Sequence, residues 1–254
     1  MKAHQKIIRE QKALEDTNDI FGKWWKNIDV DIKKAEIKEI NYSMANEIIE
    51  EYEWLKCMPA MVKFCFGIFF EGNCGGVVVY SDEYSENLGV WDKYDYTGNM
   101  LLLSRGACVH WAHKHSASKL ICQSIKMLPN QYKIITSTVD ELAGEIGTIY
   151  QACNFDYIGS MRENNPNVKN SSGDRFGVII NDKLYGSRAM RQKVGSQKKA
   201  DILKLYPNAK FVKQKSKARY FYFRGTKKEK KYYRKQIEEF IKPYPKRNLT
   251  NANS

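Results

Sequence analysis

Apolar positions along this chain alternate between short runs and stripes spaced three and four apart, which predicts strands and helices in alternation. Asp31 to Ile40 reads as a first strand, and Ser43 to Cys57 as a helix with Ile48, Ile49, Tyr52 and Leu55 on one face, stopping before Pro59. Lys63 to Glu71 and Val77 to Ser81 are extended runs split by Gly72-Asn73-Cys74-Gly75-Gly76, the pattern of an antiparallel hairpin with a glycine-rich turn. A polar, tyrosine-bearing loop from Asp82 to Asn99 leads to Met100 to His110, a central strand that starts with three leucines. Ser116 to Leu128 is helical with Leu120, Ile121, Ile125 and Leu128 in one stripe. Tyr132 to Ser137 is a strand, Asp140 to Asn154 a helix and Phe155 to Gly159 a strand.

This order predicts an α/β (α+β) domain, a mixed central sheet flanked by helices. Arg175 to Ile180 and Lys183 to Tyr185 add a hairpin around Asn181-Asp182. Further on come a helix from Ala200 to Tyr206, an aromatic strand from Ala218 to Arg224 and a highly charged helix from Thr226 to Ile241. Charge then divides the chain. Residues 183–247 hold 22 Lys and Arg against 4 Asp and Glu, whereas the rest holds 20 against 25. Clustered cations are what counterion release onto a polyphosphate requires, although a solvated lysine-rich face has the same composition. The expected organisation is a helical extension over 1–30, a catalytic domain over 31–182 and a basic nucleic-acid-binding extension over 183–254, packed on the core.

Six cysteines, Cys57, Cys65, Cys74, Cys108, Cys122 and Cys153, occur without a CxxC pair, most of them among apolar neighbours. Buried free thiols in a reducing cytoplasm are expected. The first residues hold no apolar run of signal-peptide length, and no stretch of about 18 apolar residues predicts a membrane span.

The densest polar constellation falls where the central strands end, the place where open α/β sheets bind ligands. Arg105 lies inside an otherwise apolar strand, and its guanidinium must find an anion or reach solvent. Ser118 opens the next helix. Asp140 stands at a strand-to-helix junction, where it is either an N-cap or a chemical group. Tyr150, about three turns into its helix, shares a stripe with Ile146 and Cys153, and spacing alone favours a core tyrosine over a catalyst. His110, His113 and His115 lie within six residues and offer imidazoles to a metal such as zinc or iron, but no carboxylate or thiolate has the spacing to fix the geometry, and a polar loop near an anionic substrate is the favoured reading. Tyr220, Phe221, Tyr222 and Phe223 alternate faces of a strand, so at least two of them are expected in the core. Flanked by Arg219, Arg224, Lys227, Lys228, Lys230, Lys231 and Arg234, they predict one face turned to phosphates and bases.

The run Ser137-Thr-Val-Asp140-Glu-Leu-Ala-Gly144-Glu-Ile-Gly147-Thr-Ile-Tyr150-Gln151-Ala-Cys-Asn154-Phe-Asp-Tyr157-Ile-Gly159 resembles the signature of the phage Mom family of DNA-modification proteins. Met58-Pro59, Arg105 with Ser118 and Lys119, Leu184-Tyr185-Gly186, Ala218-Arg219-Tyr220 and Pro243 to Arg247 extend the resemblance over roughly Glu53 to Arg247. It implies a GNAT-like acyltransferase fold and conversion of adenine in duplex DNA to N6-carbamoylmethyladenine, which protects phage DNA from host restriction. Carried over position by position, Arg105, Ser118, Asp140 and Tyr150 would form the active site. Two departures stand out: Glu53-Trp54 occupy the place of a His-Tyr pair, and His113-Lys-His-Ser-Ala-Ser118 replaces the glycine-rich pyrophosphate loop of GNAT enzymes. The second departure favours glycyl-tRNA over acyl-CoA as the donor, with tRNA then a second partner beside a duplex carrying a flipped adenine. An acyltransferase of the same fold acting on protein or tRNA, and a non-catalytic DNA-binding protein, are the competing readings.

Overall fold

The computed structural model describes residues 3–18, 24–83, 91–140, 144–160, 176–213 and 217–246. Parts of the expected loop at 82–99, of the helix at 140–154 and of the terminal basic segment lie outside these residues, as do Arg175 and Arg247.

The first helix, α1 (His4–Asn18), is followed by β1 (Glu36–Glu39), α2 (Tyr42–Tyr52), β2 (Val62–Phe70), β3 (Asn73–Ser81), β4 (Met100–Cys108), α3 (Ser116–Met127), β5 (Ile134–Val139), α4 (Thr148–Ala152) and β6 (Asp156–Ser160). Then come β7 (Phe176–Ile180), β8 (Lys183–Tyr185), α5 (Ser187–Val194), α6 (Lys199–Leu205), β9 (Lys210–Lys213), β10 (Ala218–Phe223) and α7 (Lys227–Lys235). Seven strands form one mixed sheet in the order β1-β2-β3-β4-β5-β10-β6, and β8-β7-β9 form a second, smaller sheet. Neighbouring strands in the main sheet are antiparallel except β4 and β5, which run parallel.

Local sequence explains most of these elements. Asn41 caps α2 by accepting from the Met44 amide at 2.9 Å, and Ala45, Ile49 and Tyr52 bury one stripe of that helix. The β2–β3 hairpin turns on Glu71 and Gly72, both left-handed at φ 47 and 82, so it is tighter than expected. Gly75 and Gly76 belong to the strand: a Cβ at Gly76 would meet Cys108 Sγ at 2.6 Å, so β3 needs glycine to lie against β4. The β7–β8 hairpin turns on Asn181 and Asp182, at φ 48 and 60, as the sequence predicts.

Both faces of the sheet are covered. On one face α2 and α3 pack with Ile49, Leu120, Ile121 and Ile125 against Phe66, Val79, Leu101 and Tyr220. The other face gathers Trp91, Tyr94, Tyr96, Met100, Ile134, Phe221, Phe223 and Ile237. Consequently β10 is buried on both sides, which accounts for its unbroken aromatic run. The N-terminal helix α1 docks beside β4: Gln5 donates to the Gly106 carbonyl, and Arg9 to the carbonyls of His110 and Ala112 at 3.3 Å each.

The boundary expected between 182 and 183 falls at the turn of the β7–β8 hairpin. The basic segment beyond it does more than pack on the core, because β10 is a strand of the main sheet between β5 and β6. A 38-residue unit from β7 to β9 is inserted between β6 and β10, with its own core of Val178, Ile180, Met190 and Ile202.

Candidate active site

The parallel ladder between β4 and β5 runs from Met100↔Ile134 to Leu103↔Ser137 and stops there, although both strands continue. At the same level the register of β3 with β4 shifts, so that Ser104 is bulged. A bulge of this kind re-aims side chains. Arg105 follows the bulge, Asp140 follows the last residue of β5, and a fork opens between them.

Polar groups collect at this fork. Arg105 donates from Nε to the Cys57 carbonyl at 2.9 Å and from Nη1 to the Ser104 carbonyl at 2.7 Å, while Nη2 lies 3.9 Å from Cys57 Sγ. Glu53, buried at the C-terminal end of α2, accepts from the amides of Leu55 and Lys56 at 2.7 and 3.2 Å. Desolvation pushes its pKa up, opposed by the nearby cations Arg105 and Lys217. Lys217, just before β10, places its Nζ 3.9 Å from Asp140 Oδ2. Glu145 is pushed up to about 7, first by burial and then by the charge of Glu53, with Lys217 and the Asp140 amide opposing. Tyr150 hydrogen-bonds Ser137, whose hydroxyl donates to the Leu103 carbonyl at 3.0 Å; burial raises the phenol pKa, so it keeps its proton at neutral pH.

Three of the four expected residues, Arg105, Asp140 and Tyr150, therefore share one electrostatic environment. Glu53, Glu145 and Lys217 join them, and sequence reasoning assigned none of the three a role. The signals were present: Glu53 stands where the family pattern carries a His-Tyr pair, and Glu145 is the charged residue inside Gly144-Glu-Ile-Gly147. Ser118 stands apart in the first turn of α3. Its hydroxyl donates to the His115 carbonyl at 3.0 Å, and its own carbonyl lies 3.8 Å from Cys153 Sγ. Ser116, the first residue of α3, buries a hydroxyl that has no hydrogen-bond partner among the described residues.

The helix expected over 140–154 is shortened to α4, with Tyr150 at its third position rather than three turns in. Gly144 and Gly147 are left-handed at φ 71 and 72, which no helix interior accommodates. A Cβ on Gly147 would meet the Tyr220 ring at 2.4 Å. Close contact with Tyr220 thus sets where α4 begins, and Asp140 is not its cap.

The histidines do not converge. His110 turns toward α1, its Nε2 2.8 Å from Asp16 Oδ2 and its Nδ1 3.0 Å from the Tyr52 hydroxyl, while His113 and His115 face each other with ring centroids 5.3 Å apart. Among the described residues no group of three His, Cys, Asp or Glu side chains is placed to hold a metal ion. The donor set among the described residues does not fit zinc or iron. The six cysteines are free thiols, and among the described residues no helix is long and apolar enough to cross a membrane.

The expected nucleic-acid face divides sharply. Tyr220 is fully buried and donates to the Ile146 carbonyl, and Phe221 and Phe223 are core. Arg219 pairs with buried Glu83 at 2.8 Å and lies over the Trp91 ring. Arg224 donates to the carbonyls of Pro129 and Leu128 at 2.8 Å each, and Arg234 binds Asp156. Packing takes Tyr220, Phe221 and Phe223 into the core, and internal pairing engages Arg219, Arg224 and Arg234, the last of them on the exposed surface. Lys227, Lys228, Lys230 and Lys231 are exposed on α7, which is held by a Thr226–Glu229 capping box.

The sheet order and the fork between parallel β4 and β5 define a mixed α/β chain with a seven-stranded central sheet flanked by helices. Solved structures similar to it include spermidine N-acetyltransferase from Vibrio cholerae in complex with CoA and spermine, at 9% identity and TM-score 0.41 over 79% of this chain and 98% of that one. A GNAT family acetyltransferase from Elizabethkingia anophelis with acetyl-CoA bound has 9% identity and TM-score 0.37, covering 75% and 98%. An N-acetyltransferase from Staphylococcus aureus Mu50 has 11% identity and TM-score 0.37, covering 74% and 97%. None of them bears on donor or acceptor here. No curated protein matches the chain. The Mom protein family matches residues 34–246, so the chain belongs to the Mom family.

Proposed function

We propose that this chain is a DNA-modifying transferase that converts adenine in duplex DNA to N6-carbamoylmethyladenine, protecting phage DNA from restriction in the bacterial cytoplasm. The supporting observation is that the Mom match spans the fork, where Arg105, Asp140 and Tyr150 share one polar cluster with Glu53, Glu145 and Lys217.

Adenine N6 is a weak nucleophile because its lone pair is delocalised into the ring, and in a duplex it is also paired and stacked. The base leaves the helix at a cost of about a few kcal/mol, offset by backbone contacts. Asp140, held by Lys217, accepts a hydrogen bond from the exocyclic amine and orients it. Glu145, half ionised near neutral pH, removes the N6 proton as the new bond forms, a better match for a general base than an unperturbed carboxylate near 4. The Arg105 fork, fixed through Nε and Nη1, turns Nη2 to the oxyanion. Protonated Tyr150 donates to the leaving oxygen.

Glycyl-tRNA is the donor that balances. The ester carbonyl forms a bond to N6, the ester C–O bond breaks, and tRNA leaves with the proton on its ribose oxygen. Attack of the glycyl amine on C6 then closes a five-membered spiro ring, and cleavage of the old C6–N6 bond leaves the original N6 as the carbamoyl nitrogen. Purified chain incubated with a duplex and glycyl-tRNA is expected to yield the modified base, and acyl-CoA in its place is not. Product formation without charged tRNA rejects the donor; absence of product from every donor in the presence of duplex rejects the transferase.

A further inference from the structure

Sheet register fixes where each basic segment leaves the core. Val139, Ser160 and Ala218 lie level with one another across β5, β6 and β10, so Asp140 and Lys217 share one end of the sheet with the point where the β7–β9 unit is inserted. Phe223 pairs with Ile134 at the opposite end, and α7 starts there. Six residues of β10 separate the two ends by about 17 Å at 3.3 Å per residue. The exposed lysines of α7 thus start a strand length from the fork, and Lys133 holds the helix to that far end through a 2.9 Å ion pair with Glu229.

The inserted unit is itself basic. Residues 176–213 carry 9 Lys and Arg against 2 Asp and Glu. Arg191, Lys193, Lys198, Lys199, Lys204 and Lys210 are exposed. Its aromatic rings do not compete for that surface: Phe176 and Phe211 pack edge to face beneath Lys199, and Tyr185 and Tyr206 lie under Lys193. At its near edge Gly186 lies beside Leu55, whose amide donates to Glu53 in the fork. We propose that the inserted β7–β9 unit is the surface that grips the acceptor duplex through its phosphates beside the everted base. The inference rests on the DNA-modification reading for the identity of the duplex. An everted base stays tethered to its own backbone, so cations near the pocket rim meet its flanking phosphates, and Gly186 beside Leu55 brings this basic unit to that rim.

The test is the salt dependence of duplex binding by Arg191→Gln/Lys198→Gln/Lys204→Gln/Lys210→Gln, read by fluorescence anisotropy on a short adenine-containing duplex. Four lost phosphate contacts flatten the slope of log K against log salt by up to about 3.6. Lysine acylation of the unsubstituted chain with and without duplex gives a second readout that no folding defect can mimic, and Lys198, Lys204 and Lys210 are expected to be protected. An unchanged slope, unprotected lysines, or weakened binding of tRNA with duplex binding intact would each overturn the proposal. A chain that shows the protection yet yields no modified adenine would leave this surface standing and sink the transferase reading, so the two fail separately.

Discussion

Strand β10 joins two ends of the molecule that treat charge in opposite ways. At its Ala218 end, Lys217 pairs with Asp140 and its charge acts on Glu145 and Glu53, the latter also beside Arg105, in a partly buried group in which Glu145 is pushed up to about 7. At its Phe223 end, Arg224 is satisfied by two carbonyls and Arg234 by Asp156, and the remaining lysines face water. Desolvated, imperfectly compensated charge lowers stability and is retained where it does chemistry, whereas solvated charge affects partners and solubility. The contrast separates a desolvated, titratable cluster from a solvated cationic face along a single strand.

The largest effect expected of breaking this contrast is on turnover. Asp140→Asn, Glu145→Gln and Tyr150→Phe are each expected to lower modification of a duplex by about 10²-fold or more while the circular dichroism spectrum is retained. Equal losses from substituting the α7 lysines would erase the distinction. Stability comes next. Tyr220→Ala is expected to destabilise the fold by about 3–5 kcal/mol in urea titration, since the ring fills the core against Gly147 and its hydroxyl holds Ile146. A base-stacking surface tyrosine would lose duplex affinity at unchanged stability. Arg219→Ala, which strands buried Glu83, is expected to cost about 3 kcal/mol.

These side chains mark what was legible in the sequence. The period-two and helical patterns located nearly every strand and helix of the main sheet, and Asn181-Asp182 announced its hairpin because both residues tolerate left-handed backbone. The position of β10 was not legible: its partners β5 and β6 lie about 60 to 90 residues earlier, and an aromatic run flanked by cations reads the same on a surface or between two cores. Strand β9 was missed, a four-residue strand with both ends exposed. The helix assigned to 140–154 failed at Gly144 and Gly147. Arg105, Asp140 and Tyr150 were readable as a set, but Glu53, Glu145 and Lys217 acquire meaning only when the fork brings three distant segments together.

A smaller effect sharpens the comparison through pH. A carboxyl group raised from its ordinary value to about 7 costs stability as pH climbs from 4.5 to 7, because the unfolded chain releases that proton first. Glu145→Gln is therefore expected to melt a few degrees above the unsubstituted protein at pH 8 and to match it at pH 4.5. A uniform offset at both values would place Glu145 in water. The smallest effect belongs to α7. Lys227→Gln/Lys228→Gln/Lys230→Gln/Lys231→Gln is expected to leave the melting temperature within about a degree or two, since solvated surface charges contribute within about 0.5 kcal/mol each. It is also expected to flatten the salt dependence of duplex binding less than neutralising the β7–β9 unit.

Nucleoside mass spectrometry of DNA from bacteria expressing the chain tests the central claim most directly. Deoxyadenosine carrying an added carbamoylmethyl group is predicted with the unsubstituted chain and absent with Asp140→Asn at equal expression. Unmodified deoxyadenosine in both cultures, with the folded chain present, would contradict the account.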